Sequence, residues 1–149
     1  MSQTTGNMTF RNAKVELSSD GSTWTDVSGS VSAVTVSGGE RQVIEFQPLF
    51  SDTTKAQFGS RERVLVAVNS VYTEVAAEVF TLLDTAYLAN SALCLRWTPA
   101  GGDSLGVKRY KTVNAKVKSP AYPGGDVSEA KPLMVEYELS AEYIDKETT

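Results

Sequence analysis

The 149-residue sequence contains no histidine and only one cysteine, Cys94. Without histidine, neither a Ser-His-Asp nor a Cys-His nucleophile system can be assembled, and most transition-metal sites lose their usual ligand. A single cysteine excludes a disulfide within the chain, and the neighbours Leu93 and Leu95 favour a buried, inert thiol over a nucleophile. We therefore expect a protein that is not an enzyme and that holds no metal and no cofactor.

Long apolar runs and an excess of positive charge are also missing. No apolar run approaches the ~20 residues of a membrane span, and the first ten residues do not resemble a secretory signal, so we expect synthesis in the cytoplasm. The 14 basic and 18 acidic residues give a net charge of −4, which argues against a dedicated nucleic-acid-binding protein. The composition is typical of one globular domain over residues 1–149, and we expect residues 1–7 and 145–149 to be flexible tails of the free subunit.

One helical pattern is present, over about residues 74–89. Its apolar residues fall on one arc of ~160°, and Thr73 is a candidate N-cap. The arc contains Val75, Ala76, Val79, Phe80, Leu82, Leu83, Ala86 and Tyr87. The residues that we expect to anchor this helix in the core are Val79, Phe80 and Leu83.

Elsewhere the sequence alternates with a period of two and is interrupted by glycine and proline turns, which predicts strands. These strands cover residues 8–17, 23–27, 31–36, 42–46, 61–72, 93–98, 107–118 and 133–143. The first two are expected to form a hairpin. The fold class that follows is mostly β: an antiparallel β-sandwich or barrel with one flanking α-helix.

Two of these strands carry specific expectations. The 107–118 strand is predicted to be continuous, with a drier face of Val107, Val113, Ala115 and Val117 and a wet face of Lys108, Thr112, Asn114, Lys116 and Lys118. The 133–143 strand is predicted to point Leu133, Val135, Tyr137, Leu139, Ala141 and Tyr143 inward. The two strands can pair antiparallel, in a register that sets Lys116 opposite Glu136.

Residues 47–60 are predicted to form a long irregular loop. Such loops in compact domains are usually functional or mobile. This one carries Leu49, Phe50 and Phe58, which can either contact another subunit or fold back onto the core of their own subunit.

Other candidate sites have simpler explanations. Glu136, Glu138 and Glu142 share a strand face, which is more typical of a solvated or lysine-paired surface than of a hydrolase pair. The glycine pairs lack the context of a phosphate-binding loop and are turns. Trp24 and Trp97 could form a sugar-binding platform, although aromatic residues on short strands are more often part of a core or an interface.

Three stretches together resemble the tail tube proteins of long, non-contractile bacteriophage tails. The first is the hairpin of residues 15–29, with Asp20-Gly21-Ser22, followed by Ser37-Gly38-Gly39-Glu40. The second is the helix and strand of residues 80–102, and the third is Tyr122-Pro123-Gly124-Gly125-Asp126 before the last long strand. The order of these elements covers nearly the whole chain.

This resemblance implies a β-sandwich subunit, related in fold to the type VI secretion tube protein, that forms stacked and typically hexameric rings. The tube would conduct DNA during ejection without holding it, in a virion tail. Its partners would be further copies of itself and the tape measure, tail terminator and distal tail proteins, with no membrane. The residues 49, 50 and 58 would then be a ring-stacking interface. Two alternatives remain: a tail terminator or head–tail connector ring, and a monomeric carbohydrate- or protein-binding β-sandwich module.

Overall fold

The computed structural model describes residues 9–76, 78–101, 106–125, 127–128 and 131–148. The expectation for residues 1–7 lies outside these ranges. A short 3-10 helix at Phe10–Asn12 precedes strand β1. The other elements follow in chain order: β1 (Lys14–Ser18), β2 (Thr25–Asp26), β3 (Val31–Gly38), β4 (Arg41–Phe46), β5 (Lys55–Arg61), β6 (Val64–Val71), α1 (Val79–Ala89), β7 (Cys94–Thr98), β8 (Lys108–Val113), β9 (Lys116–Ser119), β10 (Met134–Ala141) and β11 (Tyr143–Thr148).

Two antiparallel sheets and one helix form the body of the molecule, as the fold class predicted. Sheet A has the strand order β11-β8-β7-β1-β2, and sheet B has the order β3-β6-β10-β9. Their inner faces share one core, to which β6 contributes every second residue and β10 contributes the alternate residues from Val135 to Ala141. Helix α1 lies against β9 and β6. No helix among the described residues is long and apolar enough to cross a membrane.

The predicted hairpin of β1 and β2 is present, and a polar turn closes it. Leu17 lies opposite Thr25 in the ladder. At the turn, one carboxylate oxygen of Asp20 accepts hydrogen bonds from the backbone N–H groups of Ser22 and Thr23, at 2.9 and 2.8 Å. Because these bonds favour the charged form, they hold the pKa of Asp20 below its usual value.

The helix begins at Val79, five residues after the predicted start, and it ends at Ala89 as predicted. Thr73 does not cap it, because its hydroxyl donates to the Glu78 carboxylate, and Glu78 is the N-cap residue. Val75 is exposed and lies outside the helix. Val79 and Leu83 are fully buried, and Phe80 packs against the core beside Tyr72 at a ring-centroid distance of 4.6 Å.

The predicted 107–118 strand is two strands in different sheets. Asn114 has a left-handed conformation (φ 51°), which asparagine tolerates better than most residues. This bend shifts the alternation by one residue. Ala115 and Val117 point inward as predicted, but in β8 the buried residue is Thr112, whose hydroxyl accepts the Leu95 N–H at 2.9 Å.

The 133–143 strand bends at the same corner. Glu142 separates β10 from β11, its backbone N–H donates to the Val113 carbonyl, and its carboxylate accepts the Asn114 side-chain amide at 2.5 Å. Past the bend, Ile144 faces the core, so the prediction that Tyr143 points inward is wrong. Leu133, at the other end, is also more exposed than predicted.

Strands β8–β9 and β10–β11 therefore form one bent antiparallel ribbon that contributes to both sheets. The predicted pairing is correct, but its register is not: Lys116 lies opposite Ser140 rather than Glu136. The expected flexible tail is part of this ribbon, because residues 145–148 belong to β11 and pair with β8. Thr149 lies outside the described residues.

Candidate assembly surfaces

Strands β4 and β5 form a two-stranded hairpin that belongs to neither sheet of the body. Its ladder starts beyond the ends of β3 and β6. Two backbone hydrogen bonds connect the β3–β6 ladder to the β4–β5 ladder: Gly39 N–H donates to the Arg63 carbonyl, and Glu62 N–H donates to the Glu40 carbonyl. The predicted loop of residues 47–60 is therefore wrong over residues 55–60, which are strand. Only residues 47–54 form the connecting loop.

Two consecutive glycines allow the chain to leave the body at this point. Gly38 and Gly39 have φ values of 78° and 77°, which residues with a side chain rarely adopt. A Cβ atom on Gly38 would also lie 2.6 Å from the carbonyl oxygen of Arg63. The exit of the hairpin therefore depends on glycine at position 38.

The hairpin exposes large apolar side chains on both of its faces. The relative exposure is 89% for Leu49, 107% for Phe50 and 65% for Phe58. It is 50–59% for three further residues that sequence reasoning missed, Val43, Ile44 and Phe46. Phe50 and Phe58 thus do not fold back onto the core of their own subunit.

The sequence did contain a signal for the missed residues. In Val43-Ile44-Glu45-Phe46, apolar residues occupy both faces of one strand, with Val43 and Glu45 on one side and Ile44 and Phe46 on the other. A half-buried strand would be apolar on one face only. A strand that is apolar on both faces must be covered on both, and the part of the chain that the structure describes covers neither.

The tip of the hairpin is ordered by local hydrogen bonds. The Gln47 side-chain amide donates to the Ser51 carbonyl at 3.1 Å, and Ser51 N–H donates to the Pro48 carbonyl at 3.3 Å. Within this turn, Phe50 has a φ of 62°, a conformation that costs roughly 1–2 kcal/mol for a residue with a side chain. The turn thus presents the Phe50 ring entirely to solvent.

The sheets also end in open edges. The eight-residue β3 is an open edge of sheet B, and β11 is an open edge of sheet A. The outer edge of β9 is partly paired, because Lys116 forms an isolated antiparallel bridge with Ala92. An unpaired strand edge is a template for pairing with another chain. These edges are therefore a second kind of candidate contact, separate from the hairpin.

Carboxylates neutralise several basic residues of the bent ribbon. Lys111 Nζ and Arg109 Nη2 both lie 2.9 Å from the carboxylate of Glu147. The hydrogen bond from Lys111, with a further one from Arg109, lowers the pKa of Glu147, and the same contact raises the pKa of Lys111. Lys118 lies 3.9 Å from Glu138, as expected for a lysine-paired carboxylate face.

The residues considered for a small-molecule site do not lie together. Trp97 is buried and stacks on Tyr110 at 5.8 Å, whereas the Trp24 ring lies under the Arg96 guanidinium at 4.0 Å. The two tryptophans are thus on opposite faces of sheet A and cannot form one platform. Cys94 is only partly buried, contrary to expectation. Within the described ranges, no cluster of three potential metal-ligating side chains is present.

No family model and no curated protein sequence matches this chain. Solved structures do match it. A chain of the sheath–tube complex of the extracellular contractile injection system PVC, in the extended state, has a TM-score of 0.70 at 14% identity over 97% of this chain and 94% of that one. The tail tube of SPP1 has a TM-score of 0.70 at 11% identity, over 96% and 80%.

A third similar structure is a chain of the tube-terminating cap of the anti-feeding prophage, with a TM-score of 0.68 at 13% identity over 100% of this chain and 95% of that one. At such low identities the similarity concerns the fold alone. It agrees with the resemblance found in the sequence and extends over nearly all of the chain. The protein has the tail-tube fold.

Proposed function

We propose that this chain is the structural subunit of a phage tail tube. Copies of the chain form rings, typically of six subunits, through their sheet edges, and the rings stack into a tube that conducts DNA during ejection. In this role the protein is a virion component without enzymatic activity. It meets tape measure, tail terminator and distal tail proteins at the tube ends.

One observation carries this proposal: the hairpin of β4 and β5 has apolar side chains on both faces, and the described residues of its own subunit leave both faces exposed. The three phenylalanines alone expose roughly 300–500 Å². Phe46 and Phe58 lie on opposite faces of the hairpin, so this area is divided between two patches, to which Ile44 and Val43 add further apolar surface. A tube subunit buries such a surface against its neighbours in the adjacent ring.

The charge pattern supports a passive conduit. A channel that grips phosphate would slow the passage of DNA, because every neutralised phosphate adds salt-sensitive affinity. In the bent ribbon, Arg109 and Lys111 are instead paired with Glu147, and the net charge of the whole chain is −4.

A terminator ring is the second candidate, because the tube-terminating cap of the anti-feeding prophage shares the fold. Such a ring would assemble once and stop. Electron microscopy of the concentrated purified protein separates the candidates. We expect long tubes of constant width; single rings would favour the terminator, and particles of subunit size would contradict both.

A further inference from the structure

The hairpin leaves the body at one end of sheet B, and a second apolar surface lies at the other end. At the hairpin end of sheet B, Val64 of β6 lies opposite both Gly38 of β3 and Ala141 of β10. At the opposite end of the sheet, Val71 of β6 lies opposite Met134 of β10. The ladder between these ends is eight residues long, which corresponds to roughly 25 Å. A hairpin that points away from the body therefore cannot reach the far end of its own subunit.

Described residues of the segment between β9 and β10 lie at this far end. Because β9 runs antiparallel to β10, the chain that follows Ser119 returns to the start of β10. The loop rests on the body through the buried Ala121 and through Leu133, whose carbonyl accepts the Tyr72 N–H at 2.7 Å.

Four apolar side chains of this end are exposed. Tyr122 and Val127 have exposures of 82% and 107%, and Leu133 and Met134 have exposures of 42% and 44%. We call these four residues, Tyr122, Val127, Leu133 and Met134, the receptor surface. Gly125 lies close against Leu133, because a Cβ atom there would be 2.7 Å from Leu133 Cδ2.

We propose that the receptor surface binds the β4–β5 hairpin of a second copy of this chain, located in the adjacent ring. This inference rests on the proposed tube function and names the contact that would stack one ring on the next. Leu49 and Phe50 at the hairpin tip are the side chains inserted, and Tyr122 and Val127 are the central contacts that receive them.

Two considerations favour a second copy as the occupant. First, the donor and receptor surfaces lie at opposite ends of one sheet, so their contact is head-to-tail, and a head-to-tail contact that does not close on itself repeats without limit. Second, the aliphatic residues Val43, Ile44 and Leu49 extend the apolar area of the three hairpin phenylalanines. Counted over both faces and the tip of the hairpin, these six residues approach the roughly 800 Å² that each partner buries in a stable interface.

The test uses two double variants of the full chain. The hairpin variant is Leu49→Ser with Phe50→Ser, and the receptor variant is Tyr122→Ser with Val127→Ser. All four side chains are highly exposed, so both variants should fold with unchanged melting temperatures. Leu88→Ser is the matched control, because Leu88 is 75% exposed but lies at the end of α1, outside both surfaces.

Electron microscopy and sedimentation then report assembly. Neither double variant should form tubes at ten times the concentration at which the wild type and Leu88→Ser do. The two variants are then mixed after each has assembled into rings. In this mixture only one type of junction can form. It joins the intact hairpin of the receptor variant to the intact receptor surface of the hairpin variant. The mixture should therefore form a species of twice the ring mass that does not elongate.

The outcomes distinguish this inference from the proposed function. If the wild type forms tubes and the receptor variant forms them equally well, the receptor assignment is wrong and the tube function stands. A mixture that yields no doubled species would also overturn the assignment. A wild-type protein that never stacks would overturn both proposals.

Discussion

The body and the hairpin of this molecule follow different physical rules. In the body, apolar residues alternate with polar ones, and the inward residues of β6 and β10 are almost completely removed from water. In the hairpin, both faces of β4 and β5 are exposed, and large apolar residues are present on each. The body thus buries its apolar residues within one subunit, whereas the hairpin has an apolar surface that the described residues of its subunit leave exposed.

The comparison suggests that substitutions in the two regions should have separable effects. Changes in the body should alter folding stability, and changes in the hairpin should alter assembly. The following predictions are ordered by the size of the expected effect.

Leu83→Asp should unfold the body or destabilise it by several kcal/mol, because it places a charge in the fully buried contact between α1 and the sheets. Leu88→Asp, on the exposed part of the same helix, is the control and should change the melting temperature little. Thermal unfolding followed by circular dichroism measures both. A soluble Leu83→Asp protein with the wild-type melting temperature would show that this helix face is not part of the core.

Gly38→Ala tests the junction between the two regions. The new Cβ atom would meet the Arg63 carbonyl, and the positive φ adds strain, so we expect a destabilisation of about 1–2 kcal/mol or a redirected hairpin. Gly29→Ala is the matched control, because no atom lies within 4 Å of its Cβ position. Chemical denaturation measures the difference. Equal stability together with normal assembly would refute a special role for Gly38.

Acid should weaken the body at the pairing of β8 and β11. The pKa of Glu147 is lowered on folding, so its contribution is complete above the unfolded value near 4.5 and is lost as the pH falls further. Melting temperatures should therefore fall steadily between pH 5 and pH 2. Glu147→Gln should be less stable than the wild type at pH 7 and should show a shallower pH dependence. A melting temperature that rises on acidification would contradict this assignment.

Neither region should bind duplex DNA. The pairing of Arg109 and Lys111 with Glu147, and of Lys118 with Glu138, reduces the attraction to phosphate. Fluorescence anisotropy with labelled duplex at physiological salt should show no measurable binding. Tight binding that weakens steeply with added salt would instead indicate a protein that grips DNA.

Sequence alternation predicted the body well because most of its strands are apolar on one face only. The prediction of inward and outward residues failed at Asn114 and Glu142, where the alternation shifts by one residue. A bend at each position exchanges the inward and outward faces of the strand without any change in composition. Arg109 and Lys111 were the available warning, because two charges on a supposedly dry face indicate that the face is not dry.

The hairpin was harder to predict for a related reason. The sequence indicates Leu49, Phe50 and Phe58 as candidates, but it predicts a loop over residues 55–60, which are strand. The apolar content of this strand is low, and its partner strand has no buried face. Strand patterns are recognisable when one side is buried in the same chain, and both sides of this hairpin are exposed among the described residues.

The most direct test of the division between body and hairpin is one measurement on the variant Leu49→Ser with Phe50→Ser: its melting temperature, recorded together with electron microscopy of the same sample. We predict a melting temperature equal to that of the wild type and a complete absence of tubes under conditions in which the wild type forms them. A variant that forms normal tubes would contradict the account, and so would a variant that loses its tubes only because the body has unfolded.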